Sequence, residues 1–209
     1  MLYTAEELRA AFDRPLPGRA VQYEMAHVVR RHFAPPPPDA RQASVLNLLY
    51  PHRDAWHFAL IQRTSHVGND AHRGQIGLPG GKIEPEDGTA ARAALREAEE
   101  EIGVPAEAVE LLGKLTPLYI PVSHYLVHPF VGISAVRPGF VPQESEVAAI
   151  YEVPLRELLA AANRRTVDLP FGERLTLQNV PYFHLLDRVV WGATAMILSE
   201  WVALLANRQ

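Results

Sequence analysis

Residues 89–102 carry alanine, leucine and isoleucine at positions 91, 94, 95, 98 and 102. This i, i+3, i+4, i+7, i+11 spacing puts them in one stripe of an α-helix and suits no strand. Gly103 ends the helix, and Pro105 lies where it could not continue. Any fold for the 209 residues must therefore give this helix an apolar surface to lie on. The flanks offer one. Residues 43–50 and 57–63 are apolar, partly alternating runs separated by the turn-rich Pro51-His52-Arg53-Asp54, and residues 109–120, 127–136 and 147–153 are similar. Pro154 opens a short helix through Leu159. Residues 167–169 and 175–178 suggest a hairpin around Gly172, and a closing helix is expected over residues 191–205. Strands interleaved with helices predict an α/β domain, a mixed β-sheet sandwiched between helices.

Ahead of this domain, Thr4 and Glu7 form a capping-box pattern that opens a helix through about Phe12. A second helical stretch is expected over residues 22–32. The four prolines at 35–38 then read as an extended spacer. The expected division is a helical extension with its Pro-rich spacer over residues 1–40 and the main domain over 41–209. The chain has no cysteine, so disulfides, thiolate metal sites and cysteine nucleophiles are excluded. A net charge of −4 gives no basic footprint for nucleic acid. The acidic start is unlike a signal peptide. The longest apolar stretch, near residues 189–198, falls well short of the ~20 residues a membrane-crossing helix needs. A cytoplasmic protein with no nucleic-acid or membrane partner is expected; oligomeric state, a homodimer included, stays open.

The same helix carries Glu97, Glu100 and Glu101 at i, i+3 and i+4, on one adjacent face. Like charges so placed cost roughly 0.2–0.5 kcal/mol per pair, and their late position meets the negative end of the helix dipole. A hard divalent cation such as Mg²⁺ or Mn²⁺ relieves both penalties, and carboxylate oxygens are its preferred donors. Alone, such a run is usually a solvated helix face. Its context argues otherwise: Gly80-Gly81 upstream, Arg96 directly before Glu97, Gly103-Val104 at the end.

In that order these residues resemble the Nudix signature G-x5-E-x7-R-E-U-x-E-E-x-G-U, where U is bulky and apolar. Gly81 begins it, and residues 96–104 fill its second half, with Ala98 small for its slot. The acidic position of the first half falls on Asp87, and the spacing from Gly81 to Arg96 is one residue longer than the pattern. By this resemblance the fold is the Nudix fold and the reaction is metal-dependent hydrolysis of a pyrophosphate bond. Glu97, Glu100 and Glu101 would bind the metal together with the Gly80 carbonyl. Arg96 would hold Glu97 in place, and Glu99 would be solvated. Either Glu97 or a glutamate outside the helix, for which Glu146 is the candidate, would take the proton from water.

The extra residue resembles the insertion of the coenzyme A pyrophosphatase branch. So do Arg63-Thr64, the stretch His72-Arg73-Gly74-Gln75, and Leu78-Pro79-Gly80-Gly81, where Thr64 stands for serine and Leu78 for phenylalanine. Asp70 falls where that branch carries an arginine. Residues 146–155 and 190–195 also resemble it. The implied substrate is a small nucleotide-type molecule, coenzyme A or a derivative, with Arg63, Arg73 and Gly81 at the substrate. Cleavage there gives 4′-phosphopantetheine and an adenosine bisphosphate. ADP-ribose or a dinucleotide is the nearby alternative, and a Nudix-fold binding module without catalysis the distant one. His124 and His128 lack a third ligand at zinc spacing. Trp191 and the small residues after it are expected to pack a helix on the sheet.

Overall fold

The computed structural model describes residues 2–28, 35–64, 74–171 and 175–207. Helices α1 (Ala5–Ala10) and α2 (Arg19–Glu24) precede strands β1 (Arg41–His52) and β2 (Ala55–Arg63). Two short strands, β3 (Ile76–Gly77) and β4 (Gly80–Lys82), lead to α3 (Ala90–Ile102). Then come β5 (Glu110–Lys114), β6 (Leu118–Ile120), β7 (Tyr125–Ile133), β8 (Val147–Pro154) and α4 (Leu155–Leu159). The chain continues through β9 (Arg164–Phe171), β10 (Leu175–Leu185) and β11 (Arg188–Trp191) into α5 (Gly192–Ala206).

Strands β1 to β8 form one mixed sheet, and β9, β10 and β11 an antiparallel one. β1 organises the large sheet. It runs parallel to β7 over residues 41–49, while its other edge is shared by β4 at residues 43–45 and β2 at residues 49–52. Alternation along β1 and β2 supplies two cores. Leu46, Leu48, Tyr50, Ala59 and Ile61 pack with Ala94, Ala98 and Ile102 of α3. Leu49, Phe58 and Leu60 belong to the opposite core, with Met196, Leu198 and Trp201 of α5. Helices thus cover both faces of the mixed sheet, as the α/β reading requires. Among the described residues no helix is long and apolar enough to cross a membrane.

Several expected elements move. β1 runs through Pro51, and the turn is only Arg53-Asp54, both at positive φ, the geometry of a two-residue hairpin. β1 has outrun β7 there, so the proline ring sits on an open edge. The run expected at 109–120 is two strands, interrupted where Pro117 has no N–H to give. α2 starts earlier than expected, after Gly18 at φ +77, and ends where Met25 and Ala26 turn into the core. The hairpin of β9 and β10 is longer than expected, and Gly172 lies outside the described residues. β11 had no counterpart in the sequence reading, because its turn, Leu186-Asp187, takes positive φ without glycine or asparagine. On α3, Ala94, Ala98 and Ile102 are buried as the stripe requires, but so are Ala93 and Glu101.

Candidate active site

α3 is fixed at both ends. The Thr89 hydroxyl accepts from the Arg92 N–H at its start, and Gly103 takes the left-handed conformation (φ +71) at its end. Its partner in the site is β4, which the β1 pairing presses against the sheet. A Cβ at Gly80 would overlap the Ser44 carbonyl and the Val45 backbone, and φ there is +149. A Cβ at Gly81 would lie 2.5 Å from the Glu97 carboxylate. The two glycines therefore let bare backbone approach the glutamates of α3.

The three signature glutamates fare differently. The Glu101 side chain is 3% exposed; its Oε2 accepts from the Gly80 N–H at 2.7 Å, and its Oε1 lies 3.5 Å from Arg63 Nη1. Burial pushes its carboxyl up to about 8, against the lowering pull of the Gly80 N–H and Arg63, while the charges of Glu97 and Glu146 push the same way as burial. Glu97 is largely buried and also raised, chiefly by desolvation. Glu100 is exposed. Glu99 is exposed too, and its carboxylate accepts from the Ala106 N–H at 3.4 Å, so it is not wholly passive.

Arg96 does bond Glu97, at 2.9 Å, and it also reaches Glu100 at 2.8 Å. Its planar fork, however, is spent on Asp87, with Nε at 2.8 Å from Oδ1 and Nη2 at 3.1 Å from Oδ2. A further bond runs to the Lys82 carbonyl, at 3.0 Å. Asp87 is buried and accepts from the Glu84 N–H as well; the Arg96 guanidinium holds its carboxyl below the usual range. Arg96 thus ties α3, β4 and the turn at residues 84–87 together.

Arg96, the three signature glutamates, the two glycines and Glu84 line a cleft of about 580 Å³ that also takes in Arg63, Lys82, Gln143 and Glu146. Lys82 pairs with Glu84 at 3.1 Å. Of the residues expected at the site, Arg63, Gly80, Gly81, Arg96, Glu97, Glu100, Glu101 and Glu146 all line this cleft; Asp70, His72 and Arg73 lie outside the described residues. Lys82, Glu84 and Gln143 were not foreseen, since nothing in their local pattern marks them. The anchoring by Asp87 was foreseeable only as a match to the acidic slot. His124 and His128 stand apart: His124 pairs with Asp39 and Tyr119, and His128 with Gln42.

Among the described residues no three carboxylate, imidazole or thiol groups are already converged around one point. Glu97 and Glu100 are turned to Arg96, and Glu101 to the Gly80 N–H. The donor set nonetheless fits a hard divalent cation. It is all oxygen, two of its carboxylates are removed from water, and their mutual repulsion, to which Glu146 adds, calls for a positive charge. The glycine cradle leaves the space open.

The NUDIX domain family profile matches residues 40–175. NudL of Yersinia pestis (strain Pestoides F), described as an uncharacterized Nudix hydrolase, is 37% identical over 140 residues, covering 66% of this chain and 67% of that protein. NudL of Yersinia pseudotuberculosis serotype O:1b (strain IP 31758) matches to the same extent. Among solved structures, a Nudix hydrolase from M. smegmatis, RenU, superposes with a TM-score of 0.53 at 18% identity, over 81% of this chain and 88% of that one. The MutT protein from Methanosarcina mazei Go1 gives 0.51 at 14% identity, over 80% and 96%. These two likenesses speak for the fold. With the profile covering most of the sequence, the chain belongs to the NUDIX domain family and is a Nudix hydrolase, an enzyme acting on pyrophosphate bonds.

Proposed function

We propose that the substrate is coenzyme A or one of its derivatives, cleaved into 4′-phosphopantetheine and an adenosine bisphosphate. The reading rests on one observation, the run from Arg63-Thr64 through Gly74-Gln75 to Leu78-Pro79-Gly80-Gly81, which resembles the coenzyme A branch and whose ends line the cleft. Residues 41–209 act as the hydrolase domain and 1–40 as its extension, in a cytoplasmic enzyme.

Nudix hydrolases generally use divalent ions such as Mg²⁺ or Mn²⁺. Here Glu97, Glu100, Glu101 and the Gly80 carbonyl hold the ion. When bound, it neutralises the pyrophosphate oxygens and makes water easier to deprotonate. Glu146 takes the proton, since its carboxylate lines the cleft and has no hydrogen-bond or ion-pair partner among the described residues; Glu97 is the alternative base. Arg96, anchored by Asp87, orients Glu97 and Glu100. Arg63 and Arg73 attract the substrate phosphates, and Gly81 lets them come close to the backbone.

A panel of coenzyme A, 3′-dephospho-coenzyme A, ADP-ribose and a diadenosine polyphosphate, each with Mg²⁺ and Mn²⁺, tests the reading. Coenzyme A should be preferred at least ~10-fold in kcat/KM, within reach of one charged hydrogen bond. A second reading, a broader nucleotide pyrophosphatase, is favoured by the ion pair that already engages Arg63 with Glu101. Equal turnover of coenzyme A and its dephospho form, unchanged in Arg63→Ala, would establish that second reading instead.

A further inference from the structure

We propose that Gln143 contacts the substrate, its side-chain amide donating a hydrogen bond to a non-bridging phosphate oxygen. The proposal rests on the cleft being a pyrophosphate site, and it assigns a residue that neither the signature helix nor the segment before it contains.

Three observations carry it. First, every other described residue lining the cleft is a glycine or carries an ionisable side chain, so Gln143 is its one neutral polar group among the described residues. Second, the charged groups there are mostly committed to each other: Arg63 to Glu101, Lys82 to Glu84, Arg96 to Glu97 and Glu100. The Gln143 amide is exposed and has no hydrogen-bond partner among the described residues. Third, its backbone is clamped. The Gln143 N–H donates to the Glu101 carbonyl at 3.0 Å, and its own carbonyl accepts from the Glu146 N–H at 2.9 Å and the Val147 N–H at 2.8 Å.

Further bonds extend the clamp. The Val141 N–H reaches the Ile102 carbonyl at 3.0 Å, and the Thr64 N–H reaches the Glu146 carbonyl at 2.9 Å. A Cβ at Gly103 would lie 3.0 to 3.3 Å from Val141, so the segment sits hard against the end of α3. Residue 101 therefore offers its carboxylate to the cleft and its carbonyl to the segment that presents Gln143. The backbone is thus ordered before any ligand arrives, and only the side-chain rotamers of Gln143 remain to be fixed on binding. Being neutral, it gives a phosphate two N–H donors without adding to the charge that Glu97, Glu100, Glu101 and Glu146 already bring.

Binding of ADP in the presence of Mg²⁺, measured by calorimetry, and steady-state hydrolysis of coenzyme A test this in wild type, Gln143→Ala and Gln143→Glu. Gln143→Ala should weaken ADP binding at least ~10-fold, the scale of one hydrogen bond to a charged group, and raise KM in parallel, with kcat within about twofold. Gln143→Glu should weaken binding by more than ~20-fold, because a carboxylate beside the phosphate repels it. ADP affinity within twofold of wild type in both variants overturns the proposal, as does a fall in kcat with affinity unchanged. Calorimetry needs no turnover: if coenzyme A is not cleaved while ADP binding still depends on Gln143, only the substrate reading fails.

Discussion

Glu101 sits where burial works against its own charge. Burial raises its carboxyl from about 4.3 in an unfolded chain to about 8. The folded, metal-free protein therefore keeps a proton that the unfolded chain has released. The stability this brings is whole below about pH 4 and is lost as pH climbs through about 8. Melting curves of metal-free protein should shift steadily downward from about pH 5 to about pH 8, and Mg²⁺ should reverse the loss by binding the ionised form. Glu101→Gln should flatten the profile and cost at least ~100-fold in kcat, about 2.7 kcal/mol. Parallel pH profiles for wild type and Glu101→Gln would remove the assignment. Arg96 makes a second case. Lysine keeps its charge but cannot grip Asp87 with two parallel bonds. Arg96→Lys should lower kcat at least ~10-fold with KM within about twofold, and Asp87→Asn should act in the same direction. Full activity in Asp87→Asn would show that the anchor is dispensable.

Among the elements, β4 and α3 work as a pair, and the two glycines of β4 make different contributions. At Gly81 the nearest atoms to an added methyl are those of the Glu97 carboxylate, the far end of a flexible side chain. At Gly80 it meets the backbone of β1 at a positive φ, with nowhere to go. Gly81→Ala should therefore depress kcat with a stability change under ~1 kcal/mol, while Gly80→Ala should lose roughly 2–4 kcal/mol in urea unfolding. Equal stability of the two variants would contradict this packing. The contrast also marks how far local pattern reaches. α3 could be read from one stripe and a terminal glycine, because those signals are all within one helix. The partition of its glutamates into buried Glu101, half-hidden Glu97 and exposed Glu100 could not, since β4 and residues 141–147 decide it from afar. Nor could β11 be read, for its turn uses leucine and aspartate where glycine is usual. Gln143 has no local signature at all; only the cleft reveals it.

Across the whole molecule the extension before β1 is part of the core. Leu8, Ala11 and Met25 are buried with α5, and Phe12 stacks on Trp201 at 5.7 Å while its ring covers the Gly113 backbone. Glu200, fully buried, gathers the Gly18 N–H, the Gln22 amide, and the Thr116 N–H and hydroxyl, at 2.6 to 3.0 Å. Glu200→Ala strands those donors and should cost at least ~3 kcal/mol in urea unfolding; a loss under ~1 kcal/mol would mean water replaces the carboxylate. This arrangement has a consequence for how the protein is made. Leu8, Phe12 and Met25 are made roughly 170–190 residues ahead of α5, which completes the surface they pack on. At ~5–20 residues per second that is a wait on the order of 10 to 40 seconds, during which the apolar face of a nascent segment is only partly covered. Slower synthesis of α5 lengthens the interval in which that face is open to chaperones and to aggregation.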